Sequence, residues 1–323
     1  MGYAIQLSGV RKSFGAREAL KGIDLSVGEG DIFGYLGQNG AGKTTTIRIL
    51  LDLIRPTAGS ISVMGERADR DSIRRRIGFV LDADGLYNAM TAEENLAFYA
   101  RLYGVEDPAR RIAARLADVG LADRAGDRVG GFSKGMRQRL ALARALVHDP
   151  DVLILDEPMS GIDPTGQIEL RNILLDVGRR GGKTIFFSSH DLDEVQRICN
   201  RIALIDRGEI RLQGPLADLV REAGDGEVVI DVAAGSGGPG AVSAGLDGAA
   251  SSALAERLAA FPELGFASAE GRSLRFKPRA GTEVSDIVGR LVALGVKVEG
   301  ARRKEASLEE LYASTVKAEG GRA

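Results

Sequence analysis

The chain has 323 residues, 44% of them apolar and 27% charged, which is enough for two domains with real cores. Its 43 Lys plus Arg stand against 45 Asp plus Glu, a net charge of −2, so there is no global basic excess to hold nucleic acid by phosphate neutralisation. One cysteine, Cys199, and two histidines, His148 and His190, exclude a disulfide framework and a zinc site built from cysteines or histidines.

No stretch approaches about 18 consecutive apolar residues, and Met1-Gly2-Tyr3-Ala4-Ile5 lacks the basic and apolar regions of a secretory signal. The expectation is a soluble cytoplasmic chain that meets a membrane only through a partner. Ile32–Leu36 predicts the first strand, and it leads into Gly37-Gln38-Asn39-Gly40-Ala41-Gly42-Lys43-Thr44, with Thr45 next. That segment fits G-x-x-x-x-G-K-[ST]. Its glycines let backbone N–H groups face phosphates, Lys43 adds charge over the β- and γ-phosphates, and the Thr44 hydroxyl can ligate Mg²⁺. The helical pattern over 42–53 aims its N-terminal dipole at the same anion.

Strands follow at Ile61–Met64 and Ile77–Leu81, then helical patterns at 91–103, 108–119 and 135–147. His148, just past the last of these, reads as a surface or helix-end residue. Val152-Leu153-Ile154-Leu155 is apolar on both faces, as a central parallel strand requires, and ends in Asp156-Glu157-Pro158. After a phosphate loop, a carboxylate at that strand end is placed to hold Mg²⁺, directly or through water. Glu157 is then positioned to orient or deprotonate the attacking water. A helix over 165–179, a strand at Thr184–Phe187 and a helix over 191–197 complete an α/β pattern.

Composition shifts near residue 225, which divides the chain into 1–222 and 223–323. Residues 233–252 are nearly all Ala, Gly, Ser and Pro and read as a flexible insertion. Around it, Val228–Val232 predicts a strand, Ala253–Phe261 a helix, and Phe266–Ala269 with Leu274–Phe276 a hairpin. Val284–Leu294 then predicts a helix, Val296–Glu299 a strand and Leu308–Val316 a last helix. The order β-α-β-β-α-β suggests a small, split, ferredoxin-like α+β domain.

Phe132-Ser133-Lys134-Gly135-Met136, lying between the phosphate loop and Asp156-Glu157, resembles the signature written LSGGQ of ABC-transporter nucleotide-binding subunits. Ser133 and Gly135 are kept; Phe132, Lys134 and Met136 depart from it. The resemblance covers roughly residues 3–220 and implies a P-loop ATPase domain with a helical subdomain. It implies further that Ser133 and Gly135 face the γ-phosphate bound to a second subunit. By the same resemblance, Ser160-Gly161-Ile162-Asp163 is the D-loop at the dimer interface, with Asp163 at the nucleotide. His190, in Ser188-Ser189-His190-Asp191, is similar to the switch histidine that contacts the γ-phosphate, and Phe14 to the aromatic that stacks on adenine. Asp82 stands where the family has the Q-loop glutamine, a metal ligand, so a carboxylate would meet Mg²⁺ there.

The expected function is therefore ATP hydrolysis, with ATP and Mg²⁺ as cofactors, in a head-to-tail homodimer that drives export through an integral membrane subunit. No nucleic acid is expected as a partner. Asp82–Leu96, the Ser133 signature and the ending Ser307-Leu308-Glu309-Glu310-Leu311-Tyr312 resemble efflux ATPases of the drug, antibiotic or lipid-polymer type. The alternative is a soluble ATPase switch of the same fold, acting on nucleic acid or the ribosome. A phosphate-loop phosphotransferase is a third reading, against which the signature argues.

Overall fold

The computed structural model describes residues 2–67, 71–223, 226–233, 254–279, 281–303 and 307–320. They fall into two compact units, Met1–Ala217 with Tyr312–Ala323, and Asp218–Leu311. Apart from Ala233, the expected insertion at 233–252 lies outside the described residues.

The first unit opens with strands β1 (Tyr3–Phe14), β2 (Arg17–Gly28) and β3 (Ile32–Leu36), then helix α1 (Lys43–Leu50). Next come β4 (Ala58–Val63), β5 (Glu66–Arg67), α2 (Asp71–Arg74) and β6 (Ile77–Val80). Helices α3 (Ala92–Tyr103), α4 (Pro108–Asp118) and α5 (Lys134–Leu146) follow. The remainder is β7 (Val152–Asp156), α6 (Pro164–Gly181), β8 (Thr184–Ser189), α7 (Leu192–Ile198), β9 (Arg201–Asp206) and β10 (Glu209–Pro215). Helix α8 (Leu216–Ala223) spans the boundary between the units.

β10-β9-β3-β8-β7-β6 form one sheet, parallel except for the β9–β10 hairpin. Every residue of β3 and β7 is buried, which is why these strands read as unbroken apolar runs. A second, antiparallel sheet has the order β2-β1-β4-β5. Between the sheets, Ile47, Ile49 and Leu50 of α1 share one core with Ile5 and Leu25 on one side and Phe33, Ile154 and Phe186 on the other. A separate cluster joins α3 (Leu96, Ala100), α4 (Ile112, Leu116) and α5 (Leu140, Ala143) into a helical layer.

The β1–β2 and β9–β10 hairpins were not among the expected strands. β1 breaks its alternation at Gly9, where the pairing with β2 shifts register. Arg207 (φ 48°) and Gly208 (φ 82°) both carry the positive φ of a tight hairpin turn between β9 and β10. β4 begins earlier than expected, at Ala58, because its pairing with β1 extends to Arg11↔Ala58.

In the second unit, β11 (Val228–Val232) is followed by a helix over 254–258 (α9), β12 (Phe266–Glu270), β13 (Ser273–Phe276), α10 (Val284–Ala293) and β14 (Val298–Arg303). The antiparallel sheet runs β12-β13-β11-β14, so the strands of the β-α-β-β-α-β unit stand in the order 2-3-1-4, the ferredoxin-like arrangement. Val228, Ile230, Leu274 and Phe276 of the sheet share a core with Leu254, Leu258, Ile287 and Leu291 of the two helices. The last strand starts later than Val296, because the Val296 N–H closes α10 on the Leu291 carbonyl (3.0 Å). A final helix, α11, covers Leu308–Gly320.

Candidate functional site

β3, β8 and β7 lie side by side and parallel, and their C-terminal ends carry Gly37, Ser188-Ser189-His190 and Asp156-Glu157. Crevices at the carboxyl ends of such strands are where α/β folds place ligands. The loop from Gly37 to Gly42 turns tightly into α1. Gly42 has φ 122°, and a β-carbon there would meet Leu20 Cδ2 at 2.8 Å; one on Gly37 would strike the Ile205 carbonyl. Gly37 donates its N–H to the Ser189 carbonyl (3.4 Å), and Ala41 belongs to the core, so both residues build the loop without lining its cavity.

Lys43, the first residue of α1, is 5% exposed. Its Nζ donates to the carbonyls of Gly37 (2.6 Å) and Gln38 (3.3 Å) and lies 3.2 Å from Glu157 Oε1. Deeper in α1, the Thr46 hydroxyl donates to the Gly42 carbonyl (3.1 Å) and meets the Tyr35 hydroxyl at 3.1 Å. Burial pushes the Tyr35 phenol well above its ordinary value, so it stays a neutral hydrogen-bonding group.

Glu157 is the point where the strand ends converge. Its backbone is left-handed (φ 47°), which swings the side chain off the end of β7. One carboxylate oxygen faces Lys43, and the other lies 2.9 Å from His190 Nδ1. A carboxylate only accepts, so this contact puts a proton on Nδ1. Asp156, 5% exposed, accepts from the Ser188 hydroxyl (2.6 Å), whose oxygen in turn accepts the Glu157 N–H (3.0 Å). Ser188 thus ties the two carboxylates to β8; the sequence reading passed over it, although it stands two residues before His190.

A cavity of about 380 Å³ opens over the loop, lined by Phe14, Arg17, Asn39, Gly40, Gly42, Lys43, Thr44, Thr45, Arg48 and Glu157 among others. Phe14, at the end of β1, is 51% exposed, with Lys12 Nζ 5.0 Å from its ring centre. A neighbouring cavity of about 450 Å³ brings Asp82 together with Thr44, Asp156 and Glu157, beside Asn39, Arg48 and Ser160. Thr44, Asp82 and Asp156 form an all-oxygen set, which fits a hard cation such as Mg²⁺ that keeps water and substrate phosphates as further ligands. Among the described residues no group of three or more His, Cys, Asp and Glu side chains could hold a metal ion, so water and phosphate would have to complete the shell.

Ser133, Gly135 and Asp163 line neither cavity. Ser133 caps α5 by accepting the Met136 N–H (3.3 Å), and Asp163 caps α6 by accepting the Gly166 N–H (3.3 Å). His148 is half-buried, stacked on Tyr103 at 3.8 Å with Nε2 3.1 Å from the Ile77 carbonyl; burial lowers its pKa. That is a packing role between the helical layer and β6.

Glu194, on α7 one turn beyond His190, is 8% exposed and accepts from the Ser189 hydroxyl at 3.4 Å. Burial, reinforced by the Asp191 carboxylate, raises its pKa from 4.5 to about 7. A carboxyl raised on folding contributes stability that is complete below the unfolded value and is lost as pH rises through the folded one. We therefore expect the melting temperature to fall between about pH 4.5 and 7 and to level off above that, and Glu194→Gln to flatten that slope. Parallel slopes in the two proteins would remove Glu194 as the cause.

Comparison with known proteins covers the part of the chain that carries the phosphate loop and the end of β7. The family model described as ABC transporter matches residues 20–160, a span that contains both the phosphate loop and Asp156-Glu157. The chain is 40% identical over 221 residues to the bacitracin transport ATP-binding protein BcrA of Bacillus licheniformis, covering 68% of this chain and 72% of that one. It is 37% identical over 235 residues to the linearmycin resistance ATP-binding protein LnrL of Bacillus subtilis, covering 71% and 74%. Among solved structures, cbiO1 of Clostridium perfringens, described as part of the ABC transporter complex cbiONQ, superposes with a TM-score of 0.61 at 27% identity, over 69% of this chain and 95% of that one. Similarity of this extent, running along most of each relative's own length, places the chain in the ABC transporter family as an ATP-binding protein.

Proposed function

We propose that the chain hydrolyses ATP as the engine of an efflux transporter, two copies meeting head to tail with each nucleotide between the phosphate loop of one and the Ser133 turn of the other. One observation carries the reading. Within a single chain Lys43, Glu157 and His190 converge, whereas Ser133 and Gly135, at the N-terminus of α5, stand outside both cavities. A serine hydroxyl and helix N–H groups suit an anion, and a second copy would bring them to it.

In this reading Phe14 stacks on the base, and Lys43 with the loop N–H groups binds the β- and γ-phosphates. Thr44, Asp156 and Asp82 would hold Mg²⁺, which supplies neutralisation of the phosphate oxygens. By drawing Lys43 onto its phosphates, ATP releases Glu157 Oε1, while His190 keeps the other oxygen oriented. Glu157 then takes a proton from water as the water oxygen bonds to the γ-phosphorus. The bond from that phosphorus to the bridging oxygen breaks, leaving ADP and phosphate.

Among the described residues no helix is long and apolar enough to cross a membrane. The exposed apolar side chains Leu53, Tyr87, Phe98 and Leu102 support docking to an integral membrane subunit, which would place the chain at the inner face of a membrane. The relatives' association with bacitracin transport and linearmycin resistance supports efflux over the nucleic-acid switch. The test is ATP turnover per chain against protein concentration. We expect it to rise as pairs form, and a concentration-independent rate from a chain that sizes as a monomer would remove the head-to-tail reading.

A further inference from the structure

The segment from β6 to α3 starts at the nucleotide cavity and ends in the helical layer. Asp82 lines the cavity with Thr44 and Asp156. Two residues on, Asp84 accepts a two-pronged pair from Arg137, Nε to Oδ2 at 2.7 Å and Nη2 to Oδ1 at 3.1 Å. Arg137 Nη1 also donates to Asn88 Oδ1 (2.6 Å) and to the Val129 carbonyl (3.3 Å). The pair is sheltered, with the arginine side chain 25% and the aspartate 20% exposed. Arg137 stands in the first turn of α5, and its N–H closes that turn on the Ser133 carbonyl (2.9 Å). Two turns further along the same helix, buried Arg144 donates to the Phe79 carbonyl (2.6 Å) at the other end of the segment. Tyr99, against the Arg144 guanidinium, donates its hydroxyl to the Gly85 carbonyl (2.8 Å). Helix α5 therefore grips the segment from Phe79 to Asn88.

We propose that Arg137 is a positioning residue: joined to Asp84, it makes the Ser133 turn follow Asp82, so that nucleotide at one copy's cavity sets the aim of the turn that copy presents to the other nucleotide. This rests on the head-to-tail reading above. A planar fork on a carboxylate fixes direction as well as distance, which a lysine ammonium cannot do.

The experiment is ATP turnover against ATP concentration for the full chain, with Arg137→Gln, Arg137→Lys, Asp84→Asn and the double variant Asp84→Asn/Arg137→Gln. ATP binding to the monomer and melting temperature are measured alongside. We expect a wild-type Hill coefficient above 1 that falls to about 1 in every variant, Arg137→Lys included, with turnover down about 10- to 100-fold. Monomer binding of ATP should stay within about twofold, and the double variant should be no worse than either single one, as for two halves of one contact. An unchanged Hill coefficient in Arg137→Gln overturns the proposal, as do additive losses in the double variant or losses that simply track the melting temperature. A wild-type Hill coefficient of about 1 overturns it at once. If ATP also fails to pair the chain in a Glu157→Gln background, the head-to-tail reading falls with it.

Discussion

Glutamine at position 157 should stop turnover while leaving ATP bound: a fall of about 10²- to 10⁴-fold, the usual contribution of a general base. The amide is nearly isosteric with the carboxylate, so the end of β7 and its links to Ser188 should persist. What changes is charge. The Glu157 carboxylate lies 3.2 Å from Lys43 Nζ, where it competes with a phosphate for the same cation. Removing that competitor should hold affinity for ATP or raise it, and gel filtration with Mg-ATP should show a persistent pair of chains. Turnover within a few-fold of wild type would take the base role away from Glu157.

Lys43→Ala should act on the opposite side of the reaction, through binding. The buried ammonium pairs with Glu157 at 3.2 Å, and without it the incoming triphosphate meets that carboxylate with only the more distant Arg17 and Arg48 of the cavity wall to offset it. Charge-assisted hydrogen bonds contribute about 1.5–3 kcal/mol each, so affinity should fall by at least about 100-fold. Lys43→Arg should restore little, because the amine fits against the Gly37 carbonyl at 2.6 Å where a guanidinium fork needs more room. Titration with a fluorescent nucleotide reads both variants, and unchanged binding in Lys43→Ala would remove it from the phosphate site.

The phosphate loop could be read from sequence because its chemistry needs neighbouring residues: glycines, a lysine and a hydroxyl in one turn. β7 could be read because both its faces are buried, so the apolar run is continuous up to Asp156. β1 and β2 could not, since their apolar positions are broken by register shifts and polar edges. The meeting of Lys43, Glu157 and His190 depends on the order β3-β8-β7, which no local pattern carries. The Asp84–Arg137 pair hides for a different reason. Charged residues are common on helices and loops, and nothing in either one's neighbours selects the partner 53 positions away.

The left-handed backbone at Glu157 sets thermal robustness against catalysis at a single residue. Glycine takes that conformation freely, whereas any L side chain there carries a cost of about 1–2 kcal/mol. Repeated rounds of selection on heat resistance alone would drift away from the carboxylate at the end of β7 wherever that strain outweighs the ion pair with Lys43. They would yield a sturdier chain that keeps its sheets, its caps and its phosphate loop, and does no work.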